Sequence, residues 1–375
     1  MPLLYERLRA YLLDEIRSGR LGPGARIPSE LALADQFNVS RITSKKAMET
    51  LEREGIIVRY RGKGSFVAER REAPLPETPR PNGLAGHAPV THKALMAPVI
   101  GFVVPNFSDV FGTRMFHAIE ERASERGHSV VFKRTYGRRD VEDGAISRFV
   151  HIGVRGLIVF PIHGEFYNDA LLRIVLDGFP VVLVDRYLKG IAVNSVGIDN
   201  YEACRALTTS LVERGHHEIG FFSLPPERTS SIEDRRRGFG AALREAGLPY
   251  NRSHLLMTLT CTLPGEILES SIEADRQRVN DYLHAHPDMT GFVACEYPLA
   301  VILEQVLTAR GRADLVGNIT CFDATDSPLE PVRFTHVRQD ERRIGATAVD
   351  LLTGHATNPN RTPRIDVPFE IVRKN

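Results

Sequence analysis

The chain has 375 residues, of which 42% are hydrophobic and 25% are charged, and its formal net charge at pH 7 is +1. This composition is typical of a globular protein with two or three domains, and it excludes intrinsic disorder. No apolar run approaches the roughly 18 residues of a spanning helix, and Glu6, Arg7 and Arg9 interrupt any signal-peptide core, so we expect a cytoplasmic protein without membrane contact.

The charge is distributed unevenly along the chain. Residues 1–70 contain 13 Lys and Arg against 9 Asp and Glu, whereas the remaining residues contain 35 against 38. A small basic segment on a neutral body indicates a nucleic-acid-binding head, although a merely solvated surface fits about as well. Six prolines between Ala73 and Pro98, without any periodic pattern, predict a semi-rigid linker over 71–97. The remaining residues, 98–375, form the body.

The head contains signals for three helices followed by a hairpin. An apolar stripe from Leu4 to Ile16 predicts the first helix, Ser29 caps the second, and Ser40 caps the third. Two strands are expected at 56–60 and 65–67. The residues that such an arrangement offers to DNA are Arg41, Lys45 and Lys46 on the outer face of the third helix, with the cap Ser40, and the hairpin tip Arg61, Gly62, Lys63 and Gly64.

These residues resemble the winged helix-turn-helix of GntR-type transcription regulators. The resemblance covers essentially the whole head and is carried by Pro23-Gly24, Ile27-Pro28-Ser29-Glu30, Val39-Ser40-Arg41, Glu54-Gly55 and Phe66-Val67, among others. It implies that Arg41, Thr43 and Lys45 contact DNA from the third, recognition helix, and that Gly62 to Gly64 approach the minor groove. A winged helix used only for protein contacts is the alternative.

Two residues of the head depart from the family pattern. Ser44 stands at a position that is usually apolar, so slightly weaker packing is expected there. Leu31 stands where many members place a DNA-contacting arginine, so the family's base preferences do not carry over.

The body alternates short buried runs with amphipathic segments. Strands are predicted at 99–104, 130–132, 157–160 and 181–184, with helices between them, and the alternation resumes from Ile219 to Phe322. Continuous Val, Ile and Leu runs joined by helices predict parallel strands covered on both faces, and the length is enough for two sheets. The fold class is therefore α/β: an N-terminal winged helix-turn-helix and a two-lobed, doubly wound body.

The body resembles the LacI/GalR effector domain, which is itself similar to periplasmic sugar-binding proteins. The resemblance spans about 99–374 and is carried by Gly101 to Pro105, Phe179 to Arg186, Val196 to Asn200, Phe322-Asp323 and Val337 to Gln339, among others. A GntR-type head on this body is the arrangement of arabinose-repressor-like regulators. It implies a chain that crosses between lobes three times, so the first lobe is expected at about 98–222 and 341–367, and the second at about 224–340 and 368–375.

A ligand cleft is expected where the carboxyl ends of the strands of both lobes meet. The resemblance assigns ligand binding to Ser108, Asp109, Phe111, Arg186, Arg235, Asp323 and Gln339. Because the chain has no tryptophan, a ring that stacks on a sugar must be Phe or Tyr, and Phe111, Tyr187 and Tyr297 are the candidates. Glu296-Tyr297 replaces the family's common Asn-Asp, so second-lobe contacts should differ.

For two sets of charged residues, a purely structural role is the alternative to ligand binding. Asp185 next to Arg186 could grip vicinal hydroxyls or form a salt bridge across the lobes. Arg235 could be an ordinary solvated cation.

Other chemistry-bearing residues give no site pattern. The four cysteines match no zinc or redox spacing and are expected to be buried thiols, and pairs such as His163 with Glu165 have no metal-ligand partners. Phosphate-binding loops and nucleophile elbows are absent from the sequence. No cofactor and no metal are expected.

The leading hypothesis is a transcription repressor that binds operator DNA as a homodimer and is released by a small sugar-like effector. The alternatives are an activator, an exported sugar-binding protein, and a GntR-headed regulator with an enzyme-like body that binds pyridoxal phosphate. The last needs a longer body and a Schiff-base lysine, for which Lys93, Lys133, Lys189 and Lys374 are not suitably placed. An enzyme is therefore not expected.

Overall fold

The computed structural model describes residues 4–17, 20–22, 24–37, 39–53, 56–60, 64–67, 97–164, 168–226, 229–264, 268–325, 331–354 and 364–374. The chain divides into two compact units, residues 1–90 and 91–375. Of the predicted linker over 71–97, only residue 97 lies within the described residues.

The first unit is a small helical domain with a three-stranded sheet. Its elements are α1 (Leu4–Arg17), β1 (Arg26–Ile27), α2 (Glu30–Phe37), α3 (Arg41–Arg53), β2 (Ile57–Tyr60) and β3 (Gly64–Val67). β3 pairs antiparallel with both β1 and β2. The winged helix-turn-helix is thereby confirmed, with β1 added, because a two-residue strand carries no alternation of its own.

The helices pack through the apolar stripe that the sequence predicts. Leu8 and Leu12 of α1, Leu33 of α2, and Met48 and Leu51 of α3 are all buried in one cluster. Leu8 and Leu12 are four residues apart and Met48 and Leu51 are three apart, so each pair lies on one face of its helix, and burial of Met48 and Leu51 leaves the outer face of α3 toward solvent.

Ser44 is buried on the inner face of α3 without leaving its hydroxyl unsatisfied. Its Oγ donates to the backbone carbonyl of Glu30 at 2.7 Å, at the start of α2. The expectation that Ser44 weakens packing is therefore incomplete, because the hydroxyl replaces apolar contact with a hydrogen bond between the two helices.

The first lobe of the second unit contains a parallel sheet of six strands, in the order β14-β8-β7-β6-β4-β5. The strands are β4 (Val99–Val104), β5 (Ser129–Arg134), β6 (Leu157–Val159), β7 (Val181–Val184), β8 (Asn194–Gly197) and β14 (Arg364–Asp366). The helices are α4 (Thr113–Glu125), α5 (Arg139–His151), α6 (Asp169–Leu176) and α11 (Glu341–Leu352). Neighbouring residues of β4, such as Phe102 and Val103, face different core clusters, so both faces of the sheet are covered.

The second lobe repeats the plan with the order β10-β9-β11-β12-β13-β15. Its strands are β9 (Ile219–Phe222), β10 (Leu255–Leu256), β11 (Gly291–Ala294), β12 (Ile319–Phe322), β13 (Thr335–Gln339) and β15 (Phe369–Val372), and its helices are α7 (Asn200–Glu213), α8 (Ser230–Glu245), α9 (Glu269–Ala285) and α10 (Tyr297–Ala309). β15 pairs antiparallel with β13, whereas β14 is parallel to β8 in the first lobe. The predicted α/β class with two sheets is confirmed.

The expected boundary between the lobes near residue 222 is wrong. β9 hydrogen-bonds to β10 and β11, and α7 packs on α8, so the chain enters the second lobe between β8 and α7. A buried strand such as Ile219 to Phe222 has the same pattern in either sheet, and only its pairing partners decide which sheet it joins.

One glycine fixes how closely α7 and α8 pack. A Cβ on Gly238 would lie 2.1 Å from the backbone oxygen of Tyr201. Because any larger side chain would force the two helices apart, Gly238 sets their separation and with it the position of α8 beside the sheet.

The four cysteines are buried thiols, as predicted. Within the described stretches, none of the helices combines the length and apolar character needed to cross a membrane.

Candidate functional site

The outer face of α3 presents the cations predicted for DNA. Ser40 caps the helix, because its Oγ accepts from the Thr43 amide at 3.2 Å and lies 2.8 Å from the Thr43 hydroxyl. Arg41, Lys45 and Lys46 are exposed on the outer surface, while Thr43 is half-buried. The first turns of α3 thus form a polar, cationic surface suited to a major groove.

Part of the predicted wing lies outside the described residues. This applies to Arg61, Gly62 and Lys63, whereas Gly64 begins β3 with a backbone φ of +108°. Leu31 at the start of α2 is 57% exposed, so an apolar side chain stands at the position where the resemblance expects an arginine.

The second unit contains a cavity of about 630 Å³ at the carboxyl ends of strands from both lobes. This is the position at which open α/β sheets bind ligands, and the volume is within the usual range of ligand pockets. Seven of the eight predicted ligand-binding residues line it: Ser108, Phe111, Arg186, Arg235, Tyr297, Asp323 and Gln339.

Arg235 is the most firmly held cation of the cavity. It projects from α8, is only 5% exposed, and donates from Nε to Asn200 Oδ1 at 2.7 Å and from Nη1 to the Cys295 carbonyl at 2.6 Å. Its guanidinium lies 3.7 Å from the ring centroid of Phe322. The alternative of a solvated surface charge is excluded, since each of these contacts fixes the group in one orientation.

Asp323 stands at the end of β12 beside Gln339. Gln339 Nε2 donates to both carboxylate oxygens of Asp323, at 3.1 and 3.0 Å. Burial raises the pKa of Asp323 to about 8, against the lowering effect of Arg235. Gln339 Oε1 is buried and has no hydrogen-bond partner among the described residues, so it offers an acceptor to a ligand hydroxyl.

Asp185 and Arg186 follow β7 and belong to the same lobe. Arg186 Nε lies 3.5 Å from Asp185 Oδ2, and its Nη1 donates to the Pro161 carbonyl at 2.9 Å. The alternative of a salt bridge across the lobes is therefore wrong for this pair. Burial raises the pKa of Asp185, and the neighbouring guanidinium opposes that effect.

Asp185 and Asp323 occupy equivalent positions in the two lobes. Each follows the third strand from one edge of its sheet, β7 in the first lobe and β12 in the second, and each has a left-handed backbone, with φ of 66° and 60°. The amide of Asp185 donates to Val196 O, and that of Asp323 to Val337 O, both at 2.9 Å. This backbone conformation is costly for a residue other than glycine and is typical of functional sites.

Glu341 holds the first-lobe loop before α4 in place. This buried carboxylate, at the start of α11, accepts from the Gly112 amide at 2.6 Å and pairs with Arg114 Nη2 at 2.9 Å. The loop places Ser108 and Phe111 at the cavity, whereas Asp109 is exposed and is not among the residues that line it. The prediction for Asp109 is therefore wrong as to its position.

Several lining residues were not in the predicted set. They include Phe107, Phe160, His163 and Glu296. Burial, followed by the charge of Arg186, lowers the pKa of His163 to about 4, and its Nδ1 lies 3.2 Å from Thr229 Oγ1 of the other lobe. The sequence could have indicated Phe160 and Glu296 only by their place after a buried strand, which is also the place of Asp185, because ligands bind at the carboxyl ends of parallel strands.

Tyr187, a candidate for stacking on a sugar, does not line the cavity. Its hydroxyl donates to Asp234 Oδ2 at 2.9 Å and its amide to Ser230 Oγ at 3.0 Å, so it connects the lobes. Lys189 forms an ion pair with Glu233 beside it. The rings that face the cavity include Phe107, Phe111, Phe160 and Tyr297.

Among the described residues, no group of three or more His, Cys, Asp or Glu side chains could hold a metal ion. No lysine is among the residues that line the cavity. The cleft offers guanidinium, carboxyl and amide groups together with aromatic walls, and these groups can form hydrogen bonds and stacking contacts with a hydroxylated ligand.

Comparison with known proteins agrees with this division of the chain. Residues 4–67 match the family of bacterial regulatory proteins of the gntR family, and residues 100–362 match the periplasmic binding protein domain. The arabinose metabolism transcriptional repressor of Geobacillus stearothermophilus is 26% identical over 360 residues, which cover 93% of this chain and 90% of the relative.

Two solved structures share the fold of the body. The transcription regulator CcpA of Lactococcus lactis superposes with a TM-score of 0.60 at 19% identity, covering 74% of this chain and 97% of that chain. A LacI family transcriptional regulator from Silicibacter pomeroyi gives a TM-score of 0.61 at 18% identity, covering 73% and 96%.

Proposed function

This chain belongs to the periplasmic binding protein domain family and carries a gntR-family head, and we propose that it is a transcription repressor released from operator DNA by a small sugar-like effector. The relative with the same arrangement over 93% of this chain is named as a transcriptional repressor, and the structural neighbours are regulators. The chain is accordingly a DNA-binding regulator and not an enzyme.

The observation that carries the effector part of the proposal is the buried Arg235. Its contacts to Asn200, Cys295 and Phe322 all come from the second lobe, while Asp185 and Arg186 reach the same cavity from the first. A ligand whose hydroxyls meet both sets binds only when the lobes are close together. It therefore has differential affinity for the closed form, which is the requirement for shifting a population.

The head supplies the DNA contacts through Ser40, Arg41, Thr43, Lys45 and Lys46, and the set is completed by Arg61, Gly62, Lys63 and Gly64, which the sequence predicts for the wing. Exposed cations on the first turns of α3 can reach both guanine edges and phosphates. The chain acts as a homodimer in the cytoplasm, and its two heads read a pseudo-palindrome. Sedimentation at micromolar concentration tests the dimer: a monomer that still binds its operator tightly contradicts it.

The experiment for the whole proposal begins with selecting DNA sites from a random pool with the full chain. The selected complex is then titrated with sugars and polyols while fluorescence anisotropy follows release. We expect at least one of them to release the DNA and to raise the melting temperature of the chain in the absence of DNA. DNA binding from which no sequence preference emerges, or ligand binding that never changes DNA affinity, would contradict the proposal.

A further inference from the structure

The cavity continues beyond its charged floor into an apolar annex on the second lobe. The annex is lined by Leu263, Pro264, Ile272, Tyr297 and Val301. Ile272, Tyr297 and Val301 are only partly buried, although they pack against the core of this lobe. Apolar surface is therefore available at this wall for a ligand to cover.

The annex follows one face of α10. Tyr297, Val301 and Gln305 line the cavity at four-residue spacing, which puts them on the same helical face. At a rise of about 1.5 Å per residue, this face extends about 12 Å from the helix N-terminus. Ile272 and Arg276, one turn apart on α9, line the opposite wall.

A hydrogen-bonded polar pair marks the far end of the annex. Arg276 Nη2 donates to Gln305 Oε1 at 3.1 Å, so this pair joins α9 and α10 where the apolar wall ends. The cavity thus has a charged floor around Arg235 and Asp323, an apolar middle, and a polar outer edge.

The two parts select different chemistry. The floor can satisfy hydroxyl groups, because it presents the buried Gln339 Oε1, which has no hydrogen-bond partner among the described residues, beside the charged Arg186 and Arg235. The wall of the annex is formed by the apolar side chains of Leu263, Ile272 and Val301, and a hydroxylated ring placed against them would lose hydrogen bonds to water without replacement. An apolar substituent gains from the same burial.

We propose that the effector is a glycoside, with its sugar ring on the charged floor and an apolar or aromatic aglycone in the annex. The inference rests on the proposed function, because it assigns the class of effector to the same cleft. A free monosaccharide leaves the annex unfilled, whereas an aglycone directed along α10 covers Tyr297 and Val301 and ends near Arg276.

The test uses matched probes on the full chain. Methyl and phenyl glycosides of glucose, galactose, xylose and arabinose, in both anomers, are compared with the free sugars by thermal shift and then by calorimetry. We expect at least one phenyl glycoside to bind about tenfold or more tightly than its methyl counterpart and to release DNA at correspondingly lower concentration.

Val301→Asp and the isosteric Val301→Thr separate the annex from the floor. Both should abolish or reduce the preference for the phenyl glycoside while leaving methyl glycoside affinity within about twofold, and Val301→Thr guards against misfolding of the first variant. Thr308→Asp, on the exposed side of α10, is the matched control and should behave as wild type.

The outcomes distinguish this inference from the proposed function. Equal affinity for phenyl and methyl glycosides, or an unchanged phenyl preference in both Val301 variants, overturns the glycoside inference while effector-controlled DNA binding stands. If no sugar or glycoside of the panel binds, both fail.

Discussion

The recognition helix and the cleft use the same kinds of cation in opposite environments. Arg41 and Lys45 on α3 are exposed, whereas Arg235 in the body is 5% exposed and held by two hydrogen bonds and an aromatic ring. Exposed charges act over several ångströms, are screened by salt and adapt to their partner. A buried guanidinium recognises partners in one geometry only, and the protein loses stability when those partners are missing.

This difference explains how one chain can combine two kinds of recognition. The head needs many individually modest contacts to a polyanion, while the body needs a few fixed contacts whose loss changes the response entirely. Variants in the head should therefore change DNA affinity and its salt dependence, and variants in the cleft should change only the effector response.

The largest expected effect is that of Arg235→Ala. Without the guanidinium, the effector loses its preference for the closed lobes, so DNA affinity should stay near wild type while the effector concentration for half-release rises at least about 100-fold. Anisotropy titration of the DNA complex measures both quantities. Arg236→Ala, from the same helix, is the control. If the Arg235→Ala variant released DNA at the same effector concentration as wild type, Arg235 would not act as a fixed ligand contact, and the proposed difference between head and cleft would be wrong.

On the head, Lys45→Ala should lower affinity for selected DNA by about 1 to 3 kcal/mol if Lys45 contacts a base. Arg41→Ala should weaken selected and random DNA more evenly and reduce the salt slope by about 1. Binding measured at several salt concentrations separates the two cases, with Lys374→Ala as control. Wild-type binding by both variants would show that α3 does not enter the groove.

The buried Asp323 should make the free energy of unfolding depend on pH in a way that an exposed carboxyl does not. Its pKa of about 8 in the folded chain exceeds the ordinary value of about 4. Between these values the folded state holds more protons than the unfolded state, so the free energy of unfolding falls as pH rises from about 4 to 8. Asp323→Asn should lose this part of the slope, and because each unit of pKa shift corresponds to about 1.4 kcal/mol, its free energy of unfolding should exceed that of wild type by several kcal/mol at pH 8. Denaturant melts at several pH values measure it, with Asp288→Asn, a change at an exposed carboxyl, as the control.

The smallest effect should come from the contact between the lobes. Tyr187→Phe removes the hydrogen bond to Asp234, which favours the closed arrangement by about 1 kcal/mol. The effector concentration for half-release should rise about fivefold, with DNA affinity unchanged in the absence of effector. Tyr136→Phe, which removes the hydroxyl of an exposed tyrosine, is the control. An equal rise of the half-release concentration in both variants would show that the contact between Tyr187 and Asp234 is not its cause.

The sequence by itself determined the local structure and the kind of site. An apolar stripe at four-residue steps located the first helix of the head, and the caps Ser29 and Ser40 located the other two, while buried runs located most strands of the body. Asp185 and Arg186 were recognisable as cleft residues because they end a buried strand, and the family resemblance added Asp323. These features depend on residues close together in the chain, so they can be predicted without knowledge of the fold.

The tertiary structure decided what depends on partners distant in sequence. The sheet to which β9 belongs, the burial of Arg235 against Cys295 and Phe322, the inward position of His163, and the role of Tyr187 between the lobes all arise from pairings across the fold. A buried strand has the same pattern in either sheet, and an arginine on a helix looks the same whether it faces solvent or a cavity. Only the packing of the surrounding elements determines its dielectric environment, and therefore its chemistry.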